Sequence, residues 1–271
     1  MRSRNAGFTL VEAIIAITIT GIIGAAVAVF MRGPIDAYMA QSQRAEMVDI
    51  ADTAIRRMAR ELRLSVPNSV RVAGGNIEFL LATAGGRYRF DVADEACFTI
   101  GCTSLVTRGS VVSASGEFVG NRVVIYNQYN NAGADCSNTN PSAYCGQNTS
   151  TLTGTTDGGT TDTLTFTNKK FVPENGSDSR RVIIFQGPVT YACEFGELRR
   201  YSGYAVTATQ QPTASLGAAA VLATNVDCAQ TSFVYTPGTY ETWGVVGLTL
   251  TLTRNGETIT LYHEAHIDNA P

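Results

Sequence analysis

The sequence predicts an α+β protein, one long amino-terminal helix followed by a mainly antiparallel β-rich region. Three observations predict it. Residues 8–31 form an almost uncharged run, apolar positions then recur every three or four residues as far as Leu62, and beyond Pro67 short β-branched segments alternate with Gly and Asn. Of the 271 residues, 44% are hydrophobic and only 16% charged, which suits a buried core and excludes general disorder. Twenty basic and 23 acidic side chains leave a net charge of −3, which argues against a strongly basic nucleic-acid binder.

The helix comes first. After the short basic opening Met1-Arg2-Ser3-Arg4-Asn5-Ala6-Gly7, the 24 residues of the apolar run rise about 36 Å as a helix. A bilayer core of about 30 Å is crossed with some tilt. Arg2 and Arg4 bias the start toward the cytoplasm and send the remainder outward. Glu12 interrupts the run, and a carboxylate at mid-bilayer costs about 2.5–3.5 kcal/mol, less near an end. A plain anchor has no use for it. An ordinary secretory signal carries roughly 7–15 apolar residues and an Ala-x-Ala site. Ala26-Val27-Ala28 imitates that site, but this run is longer and contains Glu12.

Gly33-Pro34 predicts a kink or a new first turn. Met47, Val48, Ala51, Ala54, Ile55, Met58, Ala59 and Leu62 then mark one face of a helix ending near Ser65, because Pro67 disfavours helix in the residue before it. Asp52 with Arg56 and Arg57 with Glu61 supply i,i+4 pairs. Arg56, Arg57, Arg60 and Arg63 therefore read as a solvated or packed face rather than a phosphate site.

Strands are expected at 69–73, 77–81, 87–92, 118–126, 164–167, 182–185, 198–204 and 232–235, with a long Ser/Thr/Asn/Gly-rich surface loop over 128–162. The clearest hairpin is the last. Val246, Leu248, Leu250 and Leu252 alternate with Gly and Thr, Asn255-Gly256 supplies a two-residue turn, and Ile259, Leu261 and Ala265 share a face of the return strand.

All six cysteines lie at or after residue 97, an even number that suggests disulfides in an oxidising compartment. Neighbour spacing favours Cys97 with Cys102 and Cys136 with Cys145, which leaves Cys193 with Cys228. Zinc is disfavoured by the lack of a Cys-x-x-Cys pair. His263-Glu264-Ala265-His266 lacks the i,i+4 helical spacing of a zinc protease and puts its rings on opposite faces of a strand. Asp157-Gly-Gly-Thr-Thr-Asp162 could hold calcium weakly, without EF-hand spacing. No convergent catalytic set, metal site or cofactor fingerprint is visible, so the expectation is a non-enzyme without cofactor.

Gly7-Phe8-Thr9-Leu10-Val11-Glu12 after a basic leader resembles the class III signal of type IV pilins and type II secretion pseudopilins. The resemblance implies a pilin-like fold: a leader at 1–7, a transmembrane and amphipathic helix at 8–66, and a periplasmic globular domain at 67–271. It implies cleavage between Gly7 and Phe8 by a prepilin peptidase, N-methylation of Phe8, and a role for Glu12 in assembly through pairing with an amino terminus. The blander account of Glu12 is a response to its own helix dipole. The implied partners are the peptidase, other major and minor pilins or pseudopilins, and an inner-membrane assembly platform. The implied location is the inner membrane, single-pass, with incorporation in a surface pilus. Arg56-Arg57-Met58-Ala59-Arg60-Glu61-Leu62-Arg63 and the closing His263–Pro271 stretch resemble minor pseudopilins of the mannose-sensitive haemagglutinin (MSHA) pilus. The alternatives are a minor pseudopilin of a type II secretion system and a tip adhesin or DNA-binding minor pilin.

Overall fold

The computed structural model of the chain describes residues 8–91, 95–132, 136, 140–238 and 243–270. Gly7 and the rest of the leader lie outside them. The chain divides into two units, Met1–Val48 and Asp49–Pro271. Helix α1 spans Leu10–Arg63.

From Ala13 to Met31 α1 is apolar on nearly every side, with Ile17, Ile22 and Phe30 exposed by 73%, 65% and 78%. A helix of this kind belongs in lipid rather than water, and it is long and apolar enough to cross a membrane. Its hydroxyls are already satisfied: Thr18 and Thr20 donate to the carbonyls of Ile14 and Ala16, each at 2.7 Å. Pro34 lies inside α1, which corrects one of the two expectations from Gly33-Pro34, that of a new first turn. Gly33 has no Cβ to meet the proline ring, which removes that part of the cost and leaves the lost amide donor and the crowding of the Phe30 carbonyl.

The second unit holds the remaining elements. They are β1 (Arg71–Ala73), β2 (Asn76–Tyr88), a one-turn helix α2 (Ala96–Thr99), β3 (Cys102–Arg108), β4 (Arg122–Ile125), β5 (Thr149–Thr156) and β6 (Thr163–Lys169). Next come β7 (Arg181–Glu194), β8 (Glu197–Ser202), β9 (Ala219–Thr224), β10 (Ser232–Thr236), β11 (Gly244–Arg254) and β12 (Glu257–Ile267). The architecture is α+β and pilin-like: a long amino-terminal apolar helix, then a mostly antiparallel β domain.

Strand β2 pairs with β3 on one edge and with β7 on the other, so β2, β3, β6, β5, β4 and β7 close into a ring of antiparallel neighbours. Inside it Tyr88, Leu105, Val123, Ile125, Leu152, Leu164, Phe166, Val182 and Ile184 are all buried. Helix α2 adds Phe98, whose ring stacks on Tyr88 at 5.2 Å and meets Phe171 at 6.2 Å. Strands β8 and β9 extend the sheet beyond the ring from the second half of β7.

Several strands differ from the expectation. The segment expected at 77–81 and the first two residues of that expected at 87–92 belong to one 13-residue strand, β2, with register shifts near Ala82; residues 89–91 are not strand and Val92 lies outside the described residues. The strand expected to end at 185 continues as β7 across Pro188, which faces Leu80. Only Arg122–Ile125 of the expected 118–126 segment is strand, because Phe118 (φ 62°) and Gly120 (φ 90°) turn the chain. The expected loop over 128–162 contains β5, whose Leu152 is 1% exposed and central to the ring.

Helix α1 ends at Arg63, two residues early. Val66 donates to the Leu80 carbonyl at 2.8 Å and Ala82 to that of Leu64 at 2.9 Å, so the chain here already pairs with β2. Ala51, Ala54, Ile55, Met58, Ala59 and Leu62 form its buried stripe, whereas Val48, grouped with that stripe by spacing, is 43% exposed. Glu61 is the polar tie: it accepts from Tyr191 of β7 at 2.8 Å and from Arg200 of β8 at 2.9 Å. Burial pushes the Tyr191 phenol up, and the Glu61 carboxylate adds to the shift. Each large buried side chain is worth about 1.5–3 kcal/mol, against about 1 kcal/mol or less for a partly exposed ion pair. Burial therefore holds the helix, and Glu61 sets its orientation.

Strands β10, β11 and β12 form a separate antiparallel sheet. Val246, Leu248, Leu250 and Leu252 are buried along β11, as their alternation predicts. Asn255 and Gly256 join Arg254 to Glu257 with φ of 52° and 83°, the two positive values that a type I′ turn requires.

All six cysteines are paired, Cys97–Cys102, Cys136–Cys145 and Cys193–Cys228, at sequence separations of 5, 9 and 35. Loop-closure entropy ranks them by length. Replacing Cys193 and Cys228 with serine is expected to cost about 3–4 kcal/mol, and Cys97 with Cys102 about 2 kcal/mol. Urea unfolding of the full chain in neutral detergent measures both, and the reverse order would show that loop closure does not control these contributions.

Candidate functional site

The residues singled out at the amino end occupy the first turn of α1. Phe8 precedes the helix and is 76% exposed. Thr9 is its cap, since Ala13 donates the first helical hydrogen bond to the Thr9 carbonyl at 3.2 Å. Glu12 returns the favour: its Oε2 accepts from the Thr9 amide at 3.2 Å and the Thr9 hydroxyl at 3.0 Å, while the Glu12 amide donates to Thr9 Oγ1 at 3.3 Å. This reciprocal arrangement is a capping box. Sequence reasoning missed Thr9, although Thr9-Leu10-Val11-Glu12 before an apolar run is the signature of such a box.

The box changes what Glu12 can do. It satisfies amides that have no partner at a helix start and adds about 0.5–2 kcal/mol. It does not neutralise the carboxylate. An ionised carboxylate offers about four lone-pair positions, so a group that caps through Oε2 still has capacity for an ammonium. The amino nitrogen of Phe8, four residues before Glu12, is the group that cleavage after Gly7 would turn into such a cation.

The other candidates lie in the second unit. His263 is half-buried on β12 and His266 exposed, on opposite faces. Among the described residues no three His, Cys, Asp or Glu side chains gather in a way that could hold a metal ion. The suggested calcium loop is structural. Asp162 is fully buried, and its Oδ2 accepts from the amides of Val111 at 2.5 Å and Val112 at 2.8 Å, its Oδ1 from Gly158 at 3.2 Å. Burial works to raise its pKa, but these amide donors outweigh it and hold the carboxyl below the usual range. Asp157 accepts from the Gly159 amide at 2.8 Å, a local turn.

Several arginines of the second unit meet carboxylates. Arg181 meets Asp268 at 2.8 Å, Arg199 meets Glu197 at 2.8 Å, and Arg200 meets Glu61 at 2.9 Å. A fully buried pair that sequence reasoning did not find, Arg71 with Glu78, is satisfied too. Arg71 donates to Glu78 and to the carbonyls of Thr207 and Ala208, and its guanidinium lies 3.6 Å from the centre of the Tyr144 ring. Glu78 also accepts from Tyr204 at 3.1 Å. Burial first, and Glu78 second, push the Tyr204 and Tyr144 phenols up. With Arg71 and Glu78 themselves closed to solvent, this cluster pins the segment around Thr207 to β1 and β2.

Comparison with known proteins bears on the amino end. Residues 2–28 match the family described as the prokaryotic N-terminal methylation motif. The chain carries a type IV pilin or pseudopilin class III signal. Such a signal implies processing by a prepilin peptidase and assembly with other pilins, and it points to a structural subunit rather than an enzyme. With the apolar α1 it fits an inner-membrane anchor bearing a carboxy-terminal domain. Neither a curated protein nor a solved structure matches the chain.

The Asp162 contacts generate a pH prediction. A carboxyl whose folded pKa lies below its unfolded value of about 3.9 contributes stability that is complete well above that value and is lost as pH falls through the folded pKa. Asp162→Asn is expected to cost about 1–3 kcal/mol at pH 7, because buried amides lose an ionised acceptor. The variant should also show a shallower stability loss below about pH 4 than the parent. Equal acid sensitivity in chemical unfolding of the two proteins would contradict this account.

Proposed function

We propose that the protein is a processed, non-enzymatic minor pilin-like subunit that primes, or sits at the tip of, a type IV pilus of MSHA type, similar to the minor pseudopilin MshO. The observation that carries the reading is the methylation motif at residues 2–28, with Glu12 at a fixed distance from the Gly7–Phe8 bond on an otherwise apolar helix. In lipid a lone carboxylate and a lone ammonium are each costly, so a neighbouring subunit that supplies the opposite charge is favoured. Gly7 and Phe8 form the cleavage site, Phe8 carries the methyl group, and Glu12 aligns subunits during assembly. The three disulfides support a domain that matures in the oxidising periplasm. The two sequence stretches resembling MSHA minor pseudopilins, 56–63 and 263–271, support the finer assignment.

Two measurements test this. Intact mass of protein recovered from membranes should correspond to a chain starting at Phe8 plus one methyl group, and a chain starting at Ala28 or Val29 would refute it. Glu12→Gln should leave that mass processing intact and lower recovery in sheared filaments at least ten-fold. Undiminished incorporation would reduce Glu12 to a helix cap.

A further inference from the structure

We propose that the cavity between Arg87, Arg108 and Arg180 is a binding site for a compact phosphate-type oxyanion. The cavity measures about 300 Å³ and is completed by Tyr88, Asp178 and Ser179. The site is independent of the amino-terminal signal and of the filament reading built on it. Three arginines and one aspartate line it, in a chain whose net charge is −3.

Two features of the backbone make this cluster costly to the fold alone. Arg87 on β2 lies directly opposite Arg108 on β3, and β2 and β3 pair only through Arg87 with Arg108 and Tyr88 with Thr107. Like charges directly opposite across antiparallel strands repel and weaken the pair. Arg180 adopts φ of 50°, a left-handed conformation that residues with a Cβ avoid. It is held there from both sides, since its amide donates to Ser177 at 3.0 Å and its carbonyl accepts from Tyr88 at 2.8 Å. Its guanidinium lies 5.4 Å from the Phe90 ring centre.

Several other arginines of this unit meet carboxylates, Arg71 with Glu78, Arg89 with Asp91, Arg181 with Asp268, Arg199 with Glu197 and Arg200 with Glu61, whereas Arg122 enters no ion pair among the described residues and its buried Nε has no hydrogen-bond partner. Among the described residues Arg87, Arg108 and Arg180 enter no ion pair. Two arginines placed directly opposite each other and a third held at positive φ, all lining one cavity, point to a functional position. Guanidinium forks match the oxygens of phosphate-type anions bidentately. The cavity volume is at the small end for ligand sites, so the recognised group is compact, with Asp178 repelling an extended polyanion. A free phosphoryl compound and a lipid phosphate headgroup present this same chemistry.

The test uses the full chain in neutral detergent, titrated with inorganic phosphate against chloride at equal ionic strength and followed by thermal unfolding. A ligand that binds only the folded state raises the midpoint with its concentration. Phosphate should raise it and chloride should not. The double variant Arg87→Gln with Arg108→Gln should keep or raise the unliganded midpoint, because repulsion is relieved, and weaken phosphate binding at least ten-fold. Arg180→Gly should behave alike, since glycine adopts positive φ freely, and Asp178→Asn should tighten binding. A short-chain phosphatidic acid added in competition separates the sources. Displacement at concentrations ten-fold below those of phosphate supports a headgroup, and weaker displacement supports a soluble phosphoryl ligand. Equal effects of phosphate and chloride, or a phosphate effect that survives both the double variant and Arg180→Gly, overturn the proposal.

Discussion

Strand β7 is the constraint around which the β domain is organised. Along one edge it pairs with β2 from Arg181 to Tyr191, and along the other it pairs first with β4 and then with β8. The exchange of neighbours falls between Phe185, the last partner of β4, and Val189, the first partner of β8. Pro188 sits in that gap. A proline inside a strand has no amide to donate, and it is tolerated where no neighbour on that edge needs one. The first half of β7 closes the ring around the main core. The second half leaves the ring, carries β8 and β9, and brings Tyr191 and Arg200 to Glu61 of α1.

Glu12 is subject to two demands that do not conflict. The start of any helix leaves amides without partners, and in lipid each such group is expensive. Glu12 and Thr9 meet that demand within one chain. The charge that remains is the more costly quantity, and the capping box does not neutralise it. The capping box thus orients the carboxylate at the helix start, where a new amino terminus would be presented. The self-capping account and the proposed assembly role are compatible with this one geometry.

Much of this was legible locally. A period near 3.6 exposes a helical face whatever it packs against, which is why Ala51, Ala54, Ile55, Met58, Ala59 and Leu62 could be named as buried. The β11–β12 hairpin was equally legible, because alternation and an Asn-Gly turn together set both faces and register. Strands β3, β5 and β9 were not read. They are rich in Thr, Ser and Ala, residues whose strand preference depends on what lies across the sheet. Pro188 forbids a donor within β7, and only the arrangement of neighbours shows that none was needed there. The Arg87, Arg108 and Arg180 cluster had no sequence signature, being drawn from three segments far apart in the chain.

The amino-acid sequence by itself determined the apolar helix, its single acid, the processing motif and the last hairpin. Each depends on residues within a few positions of one another, so local geometry alone decides it. Tertiary structure decided the closure of the β ring, the burial of Arg71 with Glu78, the attachment of α1 through Glu61 and the convergence of three arginines. These depend on which strand lies beside which. That choice is settled by long-range pairing and core packing, where the free energy belongs to the contact and not to either segment.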